Sequence, residues 1–128
     1  MLRVQIEPMS PIILPVQICG RGRIREVDAL LDTGASYLVI ATQDAIDLGH
    51  DLTLAPKLSV VTANGLVQAP LIVVESVQLG PYTARDVQTL CLDMVGDRIS
   101  SLLGLSLLSR FRLVLDYKSS PAFLAVQD

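Results

Sequence analysis

The sequence predicts an all-β fold with one or two short helices. Short segments in which apolar and polar residues alternate recur along the 128 residues, and a period of two is typical of half-buried strands. Turn signals rich in Gly, Pro and Asn separate these segments. Only two short stretches, 42–48 and 105–111, have helical character. The pattern therefore predicts strands that are joined by tight turns.

Composition narrows the class of protein. Hydrophobic residues make up 51% and charged residues 18% of the chain, which predicts one ordered domain over residues 1–128 with a sizeable core. The net charge of −3 does not favour a nucleic-acid partner, because phosphate binding needs a basic face. The mean hydropathy of +0.52 suggests apolar surface that a partner subunit could cover.

Targeting and metal signals are weak. No stretch has the length of a membrane-spanning helix, and the N-terminus lacks a signal-peptide pattern, so a cytoplasmic protein with no membrane partner is expected. Cys19 and Cys91 lie in apolar segments and are expected to be buried free thiols. With His50 as the single histidine, no metal site and no cofactor is predicted.

The first third of the chain contains three predicted strands. Residues 1–8 alternate as a half-buried strand, and residues 11–19 form a second strand in which Pro15 indicates an edge or a bulge. Residues 20–23 turn the chain, so that residues 24–31 return antiparallel to the second strand.

An acidic residue, Asp32, lies between two apolar strand-like segments, 27–31 and 37–40. Burying a carboxylate costs several kcal/mol unless it is hydrogen-bonded, paired or protonated. Thr33 can donate a hydroxyl, and Gly34 allows a sharp turn that brings an N–H close to the carboxylate. This motif is the predicted functional centre. The alternative is a Thr-Gly turn with an exposed Asp32.

A short helix is predicted after this motif. Thr42 is the expected N-cap, the helix runs through Leu48, and Gly49 ends it. His50 follows the helix end and is interpreted as a surface residue rather than a catalytic one.

The clearest hairpin signal covers residues 58–70. Its Asn64-Gly65 pair predicts a type I′ turn, which needs positive φ at both central residues. The predicted elements that follow are a strand over 71–79, a turn at Gly80-Pro81, a strand over 82–92 and a loop over 93–98.

A second motif comes near the C-terminus. Residues 99–104 read as an apolar strand that ends at Gly104, and residues 105–111 read as a short amphipathic helix. The remaining predicted elements are a strand over 111–117, a turn over 118–121 and a strand over 122–126.

Two segments together resemble a known family. The run Ala-Leu-Leu-Asp-Thr-Gly-Ala-Ser over residues 29–36 resembles the active-site loop of the bacterial retropepsin-like (retroviral-type) aspartic peptidases. Leu103 and Gly104, with the helix after them, resemble the family segment that packs beneath that loop. The resemblance covers roughly residues 12 to 117. It implies a retropepsin-like acid-protease half-barrel in a single dimeric domain.

The resemblance also implies an activity, that of an aspartic endopeptidase. Such enzymes use two carboxylates that share one proton, and this sequence has one Asp-Thr-Gly. The implied enzyme is therefore a homodimer in which each subunit contributes Asp32. The resemblance makes Asp32, Thr33 and Gly34 the catalytic residues. Thr33 would hydrogen-bond across the two-fold axis, and the Gly34 N–H would stabilise the carboxylate.

The implied substrate is a peptide or protein in extended form. Ala35 and Ser36 would contact it from the Asp32 loop. The hairpin would act as a flap that closes over it with Ala63, Asn64 and Gly65.

The chain departs from the retroviral enzymes where they carry an ion pair that braces the dimer. Ser36, Tyr37 and Leu105 occupy those places, so this pair is absent. The terminal segments 1–8 and 111–126 are candidates for an intersubunit sheet, since bare edges invite pairing. The alternative function is a non-catalytic or conditionally active peptide-binding or dimerisation module with the same fold.

Overall fold

The computed structural model describes residues 1–94 and 99–128. These residues form ten strands and two short helices: β1 (Leu2–Gln5), β2 (Ile13–Gly20), β3 (Arg23–Leu31), β4 (Leu38–Ile40), α1 (Thr42–Asp47), β5 (Lys57–Thr62), β6 (Gly65–Leu79), β7 (Tyr82–Cys91), β8 (Ser101–Leu103), α2 (Leu105–Leu108), β9 (Arg112–Asp116) and β10 (Phe123–Gln127). The all-β prediction is confirmed. Of the predicted loop 93–98, residues 95–98 lie outside the described residues.

Most strands belong to a closed barrel. Strands β2, β3, β8, β4, β7 and β6 pair in that order, and a second pairing of β6 with β2 closes the ring. The closing contact is short, with Gln17, Ile18 and Cys19 opposite Gln78, Val77 and Ser76. β5 extends from the ring, since among the described strands it pairs with the first part of the long strand β6 and with no other.

The barrel interior is filled by alternate side chains of its strands. On β2 the buried positions are Leu14, Val16 and Ile18, as the period of two requires. The largest fully buried side chains of the core are Leu14, Ile18, Leu38, Ile40, Leu48, Leu79, Leu103, Leu107, Leu124, Val74, Val77 and Val87. Burial of this apolar surface is the main stabilising contribution to the fold.

The terminal strands form a separate three-stranded sheet with the order β1-β10-β9. β1 pairs antiparallel with β10, and β10 pairs antiparallel with β9. The segments that were candidates for an intersubunit sheet therefore pair with each other within one chain. This arrangement uses both edges of β10 and one edge each of β1 and β9.

Helix α1 differs from its prediction at the N-terminus. Ala41 is the N-cap, no side chain among the described residues caps the helix, and Thr42 is the first helical residue. The predicted Thr42 cap is therefore wrong. The backbone N–H and the hydroxyl of Thr42 instead both donate to Oδ1 of Asp93, each at 2.9 Å. Helix α2 is also shorter than predicted, since it ends at Leu108 rather than at Phe111.

The turn of the 57–70 hairpin also differs from its prediction. Thr62 pairs with Gly65, so the two turn residues are Ala63 and Asn64. Asn64 does not have a positive φ, whereas Gly65 has a φ of +107°. This is the pattern of a type I turn followed by a glycine bulge, and the predicted type I′ turn is wrong.

Within residues 1–94 and 99–128, neither helix has the length and apolar character that crossing a membrane requires.

Candidate active site

Asp32 lies at the end of a strand that the barrel holds on both sides. β3 ends at Leu31, where it pairs in parallel with Leu103 of β8. The backbone N–H of Asp32 continues this ladder and donates to the Leu103 carbonyl at 3.1 Å. The position of Asp32 is therefore fixed by a strand pair in the middle of the sheet.

The carboxylate of Asp32 is held by its own loop. The Gly34 N–H donates to Oδ1 at 2.9 Å, and the Ala35 N–H donates to the Asp32 carbonyl at 3.2 Å. Asp32 is half-buried in the single chain, and Gly34 is exposed. A Cβ at Gly34 would lie 3.2 Å from Oδ1, so glycine permits this close approach. The loop therefore presents a hydrogen-bonded carboxylate at the protein surface.

Thr33 does not serve the carboxylate of its own chain. Its side chain is exposed, and within the described part of the chain its hydroxyl donates no hydrogen bond to Asp32. The hydroxyl is thus available to a group outside this chain.

The second motif supports the Asp32 loop from beneath. The Leu105 N–H donates to the Ala35 carbonyl at 2.8 Å, and the Ser106 N–H donates to the Ser36 carbonyl at 2.9 Å. These are the first N–H groups of α2, which have no partner inside the helix. A Cβ on Gly104 would overlap the carbonyl of Tyr37, so the loop and the helix meet only because residue 104 is a glycine.

Two serines that the sequence interpretation did not single out complete this support. The Ser106 hydroxyl accepts from the Leu38 N–H at 2.7 Å and donates to the Gln88 carbonyl at 2.7 Å. The buried Ser101 hydroxyl donates to the Val39 carbonyl at 2.7 Å. A polar residue inside an otherwise apolar run is the sequence signal that would have pointed to both.

An open cleft of about 480 Å³ lies beside the Asp32 loop, between the loop and the hairpin. The predicted residues Ala35 and Ser36 line it, and none of the described residues that line it is charged. The hairpin contributes Leu58, Ser59, Val60, Val61 and Thr62, and the floor contributes Tyr37, Val39, Leu90 and Leu92. The cleft has the shape and polarity to take an extended chain with apolar side chains.

The predicted hairpin residues lie at the outer end of this region. Ala63 and Asn64 line an adjoining cavity of about 340 Å³ together with Val67, Leu92 and Met94. Gly65 lines neither cavity, and its role is to supply the positive φ after the turn. The structure thus brings most of the predicted residues to one side of the barrel.

His50 lies away from this cleft and is not the exposed residue that the sequence predicts. It packs against the end of β2, where its Nε2 is 3.1 Å from the position of a Cβ on Gly20. Within the described ranges this buried Nε2 has no hydrogen-bond partner. Burial lowers the pKa of His50, and the nearby Arg21 lowers it further. No group of three His, Cys, Asp or Glu in these ranges could hold a metal ion.

Comparison with known proteins agrees with this geometry. The family model described as aspartyl protease matches residues 14–107, which include the Asp32 loop, the hairpin and α2 up to Leu107.

This chain belongs to the aspartyl protease family.

The fold agrees with the retropepsin-like branch of this family. The structure is similar to the crystal structure of a retropepsin-like aspartic protease from Rickettsia conorii, with a TM-score of 0.70 and 25% identity. The match covers 98% of this chain and 88% of the Rickettsia chain. The chain is also 33% identical over 91 residues to an uncharacterized protein in the cobV 5′ region of a Sinorhizobium species. That match covers 70% of this chain and 39% of the Sinorhizobium protein.

Proposed function

We propose that this aspartyl protease family member is an endopeptidase that acts as a homodimer, with one Asp32 from each chain in its active site. The observation that carries the proposal is the Asp32 carboxylate, which the Gly34 N–H holds at 2.9 Å beside an open cleft. This carboxylate is half-buried, and the only hydrogen bond that it accepts in the described residues comes from its own loop. No structural role therefore explains why an acidic residue stands at this position, which favours a catalytic role.

The need for a second chain follows from the chemistry. One carboxylate must be ionised to take a proton from the attacking water, and the other must be protonated to donate to the carbonyl oxygen of the scissile bond. Two like charges about 3 Å apart cannot both ionise, so the pair shares one proton. Because the sequence has one Asp-Thr-Gly, the second carboxylate comes from a second copy.

The remaining residues of the loop would then have distinct roles. The Gly34 N–H stabilises the ionised carboxylate. The exposed Thr33 hydroxyl is free to hydrogen-bond across the two-fold axis and to hold the two loops together. This accounts for a hydroxyl that, within the described part of the chain, donates no hydrogen bond to Asp32.

The substrate is a peptide or protein segment bound in extended form along the cleft. Ala35 and Ser36 contact it from the loop, and the hairpin closes over it as a flap. Ala63, Asn64 and Gly65 form the flap tip. Leu58, Val60 and Leu90 give the cleft an apolar wall, which favours apolar side chains near the scissile bond.

The test compares the wild-type chain with Asp32→Asn at concentrations that favour dimers. Both are incubated with a diverse peptide mixture at pH 4 to 7, and products are identified by mass spectrometry. We expect cleavage by the wild type alone. Asp28→Asn is the matched control, since Asp28 is exposed on the same strand four residues earlier, and it should cleave as the wild type does.

Cleavage by purified Asp32→Asn at the wild-type rate would remove Asp32 from the mechanism. If neither protein cleaves any peptide but both retain peptides in the cleft, the chain is a peptide-binding module that keeps the fold of the family.

A further inference from the structure

We propose that the cavity at the outer end of the cleft is a subsite for a basic side chain, Lys or Arg, of the bound peptide, and that Asp93 selects it. This outer cavity is the one of about 340 Å³ beside the hairpin tip. The inference rests on the proposed function, because it adds a side-chain preference to the same cleft.

The first observation is that the outer cavity continues the cleft. Thr62 of the hairpin and Leu92 of the floor line both the cleft of about 480 Å³ and the outer cavity. A peptide in extended form advances about 3.3 Å per residue and directs every second side chain to the same face. A side chain towards one end of the bound segment can therefore enter the outer cavity.

The second observation is that the two spaces differ in charge. None of the described residues that line the cleft is charged, whereas Asp93 lines the outer cavity. Asp93 is exposed. In residues 1–94 and 99–128 it makes no ion pair, since both ion pairs found there belong to Arg25. A cationic side chain would therefore find a negative charge that no described cation neutralises.

The third observation is that the Asp93 carboxylate is held in position. The Thr42 N–H donates to Oδ1 at 2.9 Å, and the Thr42 hydroxyl donates to Oδ2 at 2.8 Å. The residue before Asp93 is also fixed, because the Leu92 N–H donates to the Ile40 carbonyl at 3.0 Å. An ionised carboxylate has about four acceptor sites, so it can still accept from an ammonium or a guanidinium group. A positioned acceptor also loses little freedom when a ligand binds.

The fourth observation is that the walls of the outer cavity suit the stem of a basic side chain. Val67, Leu92 and Met94 give it an apolar wall, and Asn64 adds an amide at the hairpin tip. Lysine and arginine place their methylene stems along apolar surface while the charged end reaches a polar partner. An acidic side chain would instead be repelled by Asp93.

The charge of the whole chain acts in the same direction. Its net charge is −3, and a negatively charged protein attracts basic peptides.

The alternative is that Asp93 has a structural role alone and only ties the segment after β7 to helix α1. The two roles differ in their dependence on the peptide. A structural role would change the affinity for every peptide alike. A subsite would change the affinity only for peptides with a basic residue at one position.

Peptide binding to the Asp32→Asn chain tests the subsite without cleavage. The probes are fluorescein-labelled peptides with an apolar central segment and one lysine, which is moved in turn through each position outside that segment. Companion series carry norleucine or glutamate at the same positions. Norleucine has the stem of lysine without the charge. At one position we expect fluorescence anisotropy to give a dissociation constant about fivefold lower for lysine than for norleucine. This preference should shrink as salt is added.

Asp93→Asn in the same background identifies the group responsible. Asparagine keeps the size of the side chain and an acceptor oxygen for Thr42. The lysine preference should disappear, whereas the affinity for the norleucine peptide should not change. Thr42→Ala removes the hydroxyl that holds Asp93 but keeps the carboxylate, so it should still prefer lysine.

Asp28→Asn is the matched control for net charge. It removes one negative charge from an exposed position of β3 that lines neither cavity, and it should keep the full lysine preference. Thermal unfolding establishes that each variant is folded. A lysine preference that folded Asp93→Asn retains would overturn the subsite. Equally weakened binding of all peptides by this variant would leave Asp93 only its structural role and overturn the subsite as well.

The outcomes separate this inference from the proposed function. If the Asp32→Asn chain shows an Asp93-dependent preference for lysine while the wild type cleaves no peptide, the subsite stands and the proposed function fails. If the wild type cleaves peptides through Asp32 with the same kcat/KM for the lysine and norleucine series, the subsite is overturned and the function stands. A chain that binds none of these peptides also overturns the subsite.

Discussion

Gly104 packs directly against the backbone carbonyl of Tyr37, and no Cβ fits between them. The Ala35 carbonyl, at 2.8 Å from that Cβ position, closes the space from a second side. Both carbonyls belong to the segment that follows Asp32. The absence of a side chain at residue 104 therefore sets how closely α2 approaches the Asp32 loop.

Gly104→Ala should be strongly destabilising. The new methyl group meets backbone atoms that cannot rotate away, so the loop or the helix must move, at a cost of about 3 kcal/mol or more of unfolding free energy. Urea unfolding measures this cost. Gly20→Ala is the control, because its Cβ meets the His50 ring at 3.1 Å and that side chain can shift. Equal stability of the two variants would mean that the contact at Gly104 is not rigid.

Ser106→Ala should destabilise the protein by about 2 kcal/mol, because it leaves the Leu38 N–H and the Gln88 carbonyl without their partner. Since Leu38 begins the strand after the Asp32 loop, peptidase activity should fall more than the loss of stability explains. Ser109→Ala, at an exposed position of the same segment, is the control. A Ser106→Ala protein with wild-type stability and activity would show that the Ser106 hydroxyl is not needed to support the Asp32 loop.

His50 should make the protein less stable in mild acid. Its folded-state pKa is lowered from 6.5, chiefly by burial and then by Arg21, with Glu75 acting in the opposite direction. The unfolded chain therefore binds the proton more readily. The stability that neutral His50 contributes is complete above the unfolded-state pKa of 6.5. This contribution is lost as the pH falls through the folded-state pKa. The measurement is the melting temperature of the wild type and of His50→Gln between pH 7.5 and 5. Parallel curves for the two proteins would contradict this role.

Cys91 should be unreactive in the folded protein. Burial raises its pKa to about 11, so almost no thiolate is present at pH 8. Alkylation with iodoacetamide at pH 8, followed by mass spectrometry, should modify Cys91 only after unfolding. Cys19, which is partly exposed, is the internal comparison in the same chain. Rapid modification of Cys91 without unfolding would show that this part of the barrel opens.

Peptidase activity should be highest at mildly acidic pH and should fall towards pH 9. In the proposed mechanism, the two Asp32 carboxyl groups share a proton that is transferred to the substrate carbonyl, and alkaline pH removes it. The profile of kcat/KM against pH for one cleaved peptide provides the measurement. A rate that rises steadily up to pH 9 would exclude the two-carboxylate mechanism.

The strands could be predicted from the sequence because their evidence is local. The alternation in β2 predicts its buried face, and Pro15 lies where β2 pairs only with β3, as an edge residue should. The close backbone approaches at Gly34 and Gly104 were also predictable, since glycine permits them. The pairing of β2 with β6 that closes the barrel could not be predicted, because it joins segments that are distant in the sequence and have no special pattern.

The errors in the prediction occur where local preference competes with a distant partner. Thr42 is a good N-cap residue, but its hydroxyl donates a hydrogen bond to the Asp93 carboxylate instead of capping the helix. Asn64-Gly65 favours a type I′ turn, yet strand pairing between Thr62 and Gly65 moves the turn back by one residue. His50 looks exposed in the sequence because nothing nearby indicates that Gly20 leaves room for its ring.

The pairing of β1 with β10 also determines how the molecule responds to force. Leu2 pairs with Val126, so the two ends of the described chain leave the sheet side by side. Tension between these ends would load the hydrogen bonds of the pair one after another, as in a zipper, rather than all at once. Under tension applied in this way, the terminal sheet is expected to open first. The barrel that holds Asp32 would open only after it.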